Sequence, residues 1–523
     1  MRVPFLVFAF LMGAGLAQGQ HDPERDATRH VAEGRFDRAA ATLEKSPAGQ
    51  PETAFVRMMA ALRQGNLSAA VDEADAARAL GLPLDRLVGL PAPELEALHT
   101  TESYSKWIQE EPYPWLLHGP MVGGVSDEGA ILWLRGATAD LPVTLTLSGP
   151  EGVRRFEART AASMENAAKL SLTGLRPNTR YNYHLRVAPD GEATGRTDAS
   201  GSFTTYATHG KASQFSVAFG GGAGYIPEWE RMWDTIRSFE PDALFMLGDN
   251  VYIDHPESDL TQRYCYYRRQ SRPEWRRLTA VTPVFAIYDD HDFGLNDCIP
   301  GPDIDSPAWK RPVWKRFRDN WANPAFGGGD EQPGCYFDHH IGDVHFIFLD
   351  GRFYRDLDGG TMLGPVQRQW LMDRLGSSKG IFKVLVSPVP WSPGIKPGSR
   401  DPWDGFPEER EAIFSFIESQ KIEGVFLVAA DRHRTDLRKI GRPQGYDLFE
   451  FESSKLTNRH THGVVQTEGF IWGHNQTCSF GHMRFDTTLE DPQVQFDAVT
   501  IDGEIVHTYT LKRSALTFAT GSN

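Results

Sequence analysis

The chain has 523 residues, 40% of them hydrophobic and 24% charged, with a formal net charge of -15 at pH 7. This is the composition of a globular protein, and the length exceeds one ordinary hydrophobic core, so two or three domains are expected. The acidic balance argues against nucleic-acid binding through a broad basic surface and leaves room only for a local basic pocket.

In chain order, Arg2, an apolar run over 3–16 and small residues ending at Ala17 read as a secretory signal peptide, residues 1–17. No later stretch is long and apolar enough to span a bilayer, so a secreted, periplasmic bacterial protein is the expectation. Export permits disulfides, but the four cysteines, Cys265, Cys298, Cys335 and Cys478, have no zinc-knuckle spacing. One or two structural disulfides and free buried thiols both fit.

Residues 24–95 read as alanine-rich helices. EGRFDRAAATLE (33–44) and QGNLSAAVDEAD (64–75) align with a period of 31 residues, placing Gly34 over Gly65, Phe36 over Leu67 and Ala39 over Ala70. The pattern resembles tetratricopeptide repeats, as small alanines at helix crossings would. Such a region packs on the rest of the chain and offers a surface to a protein partner. Residues 110–207 then alternate apolar and polar residues between turn signals, the pattern of an antiparallel β-sandwich. Leu175, Pro177, Thr179, Tyr181 and Tyr183 resemble a fibronectin type III motif, their aromatics read as core.

From residue 214 to 515 short apolar runs alternate with helical patterns: a strand followed by flexible glycines over 214–225, strands over 243–247, 284–287, 340–350, 380–391, 422–431 and 492–511, and helices over 226–239, 367–375 and 406–419. That order predicts a two-sheet α/β sandwich capped by helices, with chemistry on the strand-end loops. The whole is thus an α+β and α/β multidomain chain: helices, an antiparallel sandwich, then the large sandwich.

Three of these strands end in chemistry-bearing residues. PDALFMLGDNVY (241–252) releases Asp249 and Tyr252, TPVFAIYDDHDFGLND (282–297) releases Asp289, Asp290 and His291, and the third ends in ADRH (430–433) with Asp431 and His433. Carboxylates, imidazoles and a phenol brought together by separate strands are the ingredients of a metal centre. Asp289, Asp292 and Asp297 crowd one turn, a like-charge density that is costly unless something positive is bound.

LGDNVY, DDHDFGLND, WDGFPEER (403–410) and ADRH, in this order, resemble the PhoD-like branch of the calcineurin-type metallophosphoesterases. The resemblance runs from about residue 115 to the C-terminus and implies a two-metal phosphoric ester hydrolase. It makes Asp249 a bridge between the ions, Tyr252, Asp431 and His433 ligands of one, and Asp290 a ligand of the other. His291 would serve as general acid or charge stabiliser, and Arg352 would meet the phosphate. By residue type Asn296 reads as a further ligand or a phosphate donor, and Arg432 and Arg434 as partners in a salt-bridged loop or as phosphate donors. Two ions are implied: calcium together with iron, manganese or zinc. Trp403, Asp404, Glu408 and Glu409 shape a helix start; His340 and His345 suit structural hydrogen bonds; His339, His460, His462 and His474 carry no metal spacing.

One position departs from the family. Where its members end the first strand with an iron-binding cysteine, this chain has Gly220, Gly221 and Gly222. His255 or Glu228 fills the place, water does, or the ion is weakened, and iron becomes less secure. The expected activity is alkaline phosphatase action on phosphomonoesters, on small molecules or lipid headgroups. The alternatives are a phosphodiesterase or phospholipase D-type hydrolase and a decayed enzyme that works as a binding or assembly protein.

Overall fold

The computed structural model describes residues 22–89, 95–191, 195 and 197–519. The expected signal peptide lies outside them. Among the described residues no helix is long and apolar enough to cross a membrane.

Three apolar runs, Gln214–Gly220, Ala243–Leu247 and Val284–Ile287, lie side by side as parallel strands. Their residues are almost wholly buried, as expected of strands covered on both faces. They form the middle of a nine-stranded sheet. On one side it continues through Ser479–Asp486, Gln493–Thr500 and Ile505–Lys512; on the other through Leu116–Gly123, Gly129–Gly136 and Ala167–Thr173.

A seven-stranded sheet runs Phe337–Ile341, Val344–Phe348, Phe382–Val386, Val425–Ala429, Leu448–Ser453, Thr435–Ile440, Phe470–His474. The two sheets face each other across a layer of aromatic rings. Phe245 meets Phe346 and Phe348 with centroids 5.0 Å apart in both cases, and Phe451 meets Phe496 at 5.0 Å. Helices Gly364–Ser377 and Pro407–Ser419 connect strands of the second sheet. The helix expected over 226–239 is shorter, a single 3-10 turn at Pro227–Trp229 followed by Met232–Ser238.

The antiparallel region divides between sheets. Pro142–Gly149, Gly152–Arg159, Arg180–Val187 and Asp198–Thr204 form a four-stranded sheet of their own, while its other three strands extend the nine-stranded sheet through the parallel bridge Gly123–Val284. The region is therefore continuous with the large sandwich. Tyr181 and Tyr183 are buried, and the Tyr183 hydroxyl donates to Ala280 O at 2.7 Å, tying the two regions together.

The helical region holds α1 (Pro23–Ala32), α2 (Phe36–Leu43), α3 (Pro51–Arg63) and α4 (Leu67–Ala79). α1 and α3 both start on proline, and Asp22 caps α1 by accepting from the Arg25 amide. The turns between the paired helices repeat the same hydrogen bonds: Gly34 N to Val31 O and Arg35 N to His30 O, then Gly65 N to Leu62 O and Asn66 N to Ala61 O. Ala39 and Ala70 are both buried, so the 31-residue period is a period of structure.

α1 packs on helix Asp259–Gln270 through buried polar contacts. Arg268 pairs with Asp22, and Thr28 Oγ1 donates to Thr261 Oγ1 at 3.0 Å. All four cysteines are free thiols, three of them buried. Of the two readings open for them, the structure takes the thiol one.

Candidate metal centre

The two sheets bring their strand ends to one edge. Gly248 has φ +105°, and a side chain there would put Cβ 2.4 Å from that of Asp289, so only glycine lets the turns after Ala243–Leu247 and Val284–Ile287 close on each other. The residues they deliver are held in a backbone region L-residues rarely enter. Asp249, Tyr252, Asp254, Asp431 and His433 have φ of +54°, +45°, +55°, +72° and +50°. Each such residue costs about 1–3 kcal/mol, and clustering at one edge marks a site whose geometry the surrounding fold enforces.

Asp249, Tyr252 and His433 converge. The Tyr252 hydroxyl lies 2.9 Å from Asp249 Oδ2 and 3.0 Å from His433 Nε2, and His433 Nε2 is 3.9 Å from Asp249 Oδ2. His433 Nδ1 faces the His460 carbonyl at 3.2 Å, which assigns its proton to Nδ1 and leaves the Nε2 lone pair pointing inward. Burial, with His460, His462, His291 and Arg432 nearby, holds this imidazole neutral, far below its ordinary range.

Burial also pushes the Tyr252 phenol well up, reinforced by the Asp249 charge. Asp249 itself is pushed well up by burial and by Asp290, Asp289 and Asp292, against the opposing pull of His291. Two acceptors, Asp249 Oδ2 and His433 Nε2, thus share one phenolic proton. A cation is the partner such a set lacks.

Asp290 joins two groupings. With Asp249 and His291, and again with Asp297 and Asp401, its ligand atoms lie within 4.8 Å of one another. Asp290 Oδ2 accepts from the Asp297 amide at 2.5 Å, while Oδ1 is buried with no hydrogen-bond partner, as is Asp289 Oδ2. Buried carboxylate oxygens left unpaired, in two groups sharing one residue, suit a pair of oxygen-seeking cations.

Arg352 is placed differently from its expected role. It is fully buried, its guanidinium committed to Asp289 and, at 2.6 Å, to Asp401. Only Nη2 lacks a hydrogen bond, and it lies 3.6 Å from Asp290 Oδ1. Arg352 thus bridges the carboxylates of two loops, with Nη2 left over. Arg434 is similarly engaged with Asp436 at 2.8 Å. Arg432 has one long contact to Asp431 at 3.4 Å and an unpaired Nε, and Lys396 Nζ reaches Asp297 at 2.9 Å and Asp401 at 3.1 Å.

His291 is clamped from behind. Its Nδ1 bonds Asp254, whose other oxygen is bonded by Arg25 of α1, and its ring stacks on Tyr252 at 4.7 Å. Its Nε2 lies 4.0 Å from Asp290 Oδ2. Burial lowers its affinity for a proton, yet Asp254, Asp290 and Asp249 together hold it well above the ordinary histidine range.

Asp292 adds its charge to the crowding around Asp249, but its own oxygens are turned to backbone amides. Its carboxylate accepts from the Asn250 and Val251 amides at 2.8 and 3.0 Å, so it is a clamp on the loop carrying Asp249. Asn296 is exposed in the turn before Asp297. Sequence reading missed Asp254, Asp401, Lys396 and Arg25, which sit in loops or a distant helix without periodic signal. Asp254 alone had a clue, two residues beyond Tyr252 in an acidic turn.

Neither residue considered for the missing cysteine fills its place. Glu228 is exposed, and His255 lies 3.5 Å from Asp26. Gly222 has φ +69°, and a Cβ there would come within 3.0 Å of Lys455 N and Ser454 Oγ. The space is taken up by the turn after Leu448–Ser453.

A family profile described as PhoD-like phosphatase matches residues 215–509. Alkaline phosphatase D of Bacillus subtilis (strain 168) is 24% identical over 422 residues, 68% of this chain and 70% of its own length. Among solved structures, "Structure of PhoD" superposes with a TM-score of 0.64 at 17% identity, covering 79% of this chain and 93% of that one. The purple acid phosphatase PPD1 from yellow lupin seeds follows at 0.56 and 13% identity, covering 76% and 75%. These two share the fold: a helical region followed here by mixed sheets interleaved with helices, ending in the calcineurin-type sandwich.

Proposed function

The chain belongs to the PhoD-like phosphatase family, and from that premise we propose that it is a secreted, periplasmic metal-dependent hydrolase of phosphomonoesters. The observation that carries the reading is the pair of carboxylate groupings that share Asp290. Asp249, Tyr252, Asp431 and His433 would hold one ion and Asp290, Asp297 and Asp401 the other, with Asp249 between them. The second set, all oxygen, suits calcium; the first, with a phenol and an imidazole, suits iron, manganese or zinc. Without the cysteine of its relatives, the first set is less selective for iron. Two such cations offer Lewis-acidic contacts to phosphoryl oxygens and lower the pKa of an attacking water.

The side chains do the rest. His291, oriented by Asp254, delivers a proton from Nε2 to the leaving oxygen. Lys396 and Arg432 offset charge on the phosphoryl oxygens, the part first assigned to Arg352. Arg352 keeps Asp289 and Asp401 aligned, and Asn296 edges the entrance.

A second reading, phosphodiester or phospholipid hydrolysis, is favoured by one feature. A cavity of about 720 Å³ is lined by Arg29, Arg63, His255, Leu260, Leu295 and Trp309 among others, with His255 and Cys298 of its wall next in the chain to Asp254 and Asp297. It has room for an organic arm beyond the phosphate, whereas a monoester needs none. The converging lone pairs disfavour a decayed binding protein, which has no use for strained, unpaired acceptors. We also read the paired helices as tetratricopeptide-like and the antiparallel strands as fibronectin type III-like. Support is the repeated turn in the first and the two-sheet strand arrangement in the second; the outer face of α2 and α4 is then the surface for a protein partner.

The test is elemental analysis of protein purified without added metal, with hydrolysis of a chromogenic phosphomonoester and diester on the same sample. Bound metal and turnover lost in Asp249→Ala support the reading, and the preferred ester selects between its forms. Protein that neither holds metal nor cleaves either ester after reloading with calcium, iron, manganese and zinc overturns it.

A further inference from the structure

On the far side of the seven-stranded sheet, the edge hairpin Phe337–Ile341 and Val344–Phe348 carries a second constellation of ligand-type side chains. Asp338 and His340 alternate onto the outward face, and His345 lies directly across from His340 in the ladder. One ligand atom from each of these three lies within 4.8 Å of the others. His345 Nε2 is 3.0 Å from Asp338 Oδ2, and the His340 ring stacks on that of His345 at 4.0 Å. His209, from the loop after Asp198–Thr204, sets its ring edge-on to His340 at 4.2 Å, and that loop is fastened to the hairpin by Gly210 N donating to Gly342 O at 2.8 Å. The four side chains line one open pocket of about 150 Å³.

We propose that this pocket is a zinc site, with His209, Asp338, His340 and His345 as a three-imidazole, one-carboxylate ligand set separate from the catalytic centre. Such a set suits a borderline cation of tetrahedral preference, whose ligand atoms stand about 3.3 Å apart when each lies about 2.0–2.1 Å from the metal. The His345–Asp338 separation already matches that edge. His340 is half-buried and His209 exposed, and rotation of these two rings toward Asp338 would close the set.

The surroundings fit as well. His345 Nδ1 is bonded to Ser378 Oγ at 2.9 Å, which leaves Nε2 to face the pocket, and Arg374 holds the other Asp338 oxygen at 3.3 Å. The last turn of helix Gly364–Ser377 lines the pocket, and its carbonyl end favours positive charge. Packed imidazoles beside one carboxylate are poorly explained as a salt bridge alone, since only His345 makes one.

The experiment titrates the metal-replete enzyme with Zn²⁺, and in parallel with Co²⁺ as a coloured probe, in the wild type, His209→Ala and His340→Ala. The wild type binds one equivalent with the intense visible absorption of four-coordinate Co²⁺, and Zn²⁺ raises its Tm. His340→Ala loses the equivalent and the Tm shift, and His209→Ala, at an exposed position, weakens binding at least about tenfold. Both keep wild-type phosphoesterase turnover, which sets this outcome apart from any failure of the catalytic reading. Equal Co²⁺ uptake and spectra in the wild type and both histidine variants overturn the proposal.

Discussion

His291 shows how much a single side chain depends on its backing. Asp254 bonds Nδ1 and leaves Nε2 beside Asp290. His291→Ala is expected to lower kcat by about 10²–10⁴-fold, with a smaller loss in Asp254→Asn that falls on kcat more than KM. Steady-state kinetics of the two variants check this. Arg352 is an opposite case, a residue whose removal is a matter of stability. Arg352→Ala strands Asp289 as a buried carboxylate, while Asp401 keeps Arg355 and Lys396, and costs about 3–5 kcal/mol, read from denaturant unfolding. Gly222 answers a question of ancestry: with positive φ and Lys455 N and Ser454 Oγ close by, Gly222→Cys destabilises the fold by about 1–2 kcal/mol and does not raise iron affinity. Metal analysis of that variant is the check.

At the level of elements, α1 is wired into the site. Arg25 bonds Asp254, and Asp22 and Asp26 hold the helix down through Arg268 and His255. Burial raises the Asp26 pKa, but His255 and Arg25 outweigh it and bring it to about 2; Asp22 is likewise lowered, by Arg268 and Arg25 against burial. Both folded values lie below the unfolded one, so their stabilisation is complete above about pH 4 and is lost as pH falls toward about 2. Hydrogen exchange should show amides of α1 losing protection across that window before those of strand Ala243–Leu247. Simultaneous loss in both would mean that the helical region has no separate docking equilibrium.

For the molecule as a whole, the centre is a set of buried acids that the fold holds together against their own repulsion, so ion binding and folding are coupled. Chelation should lower the Tm, and a ligand at about 1,000 times its Kd should restore about 4 kcal/mol; calorimetry with and without chelator measures it. Much of this architecture was legible in the chain itself. Short apolar runs that end in Gly-Asp or Tyr-Asp-Asp-His place acids at strand ends, because a buried strand must emerge where polar residues begin. The 31-residue period likewise foretold two matching helix turns, since it reflects local packing. What the sequence could not determine were pairings between distant segments. That Arg352 serves Asp289 and Asp401, that Asp292 clamps a backbone loop, that Arg25 backs His291, and that three strands of the antiparallel region join the large sheet depend on which loops meet. The partner of a buried charge is set by the geometry of the closed fold, and residue type and spacing along the chain carry no record of it.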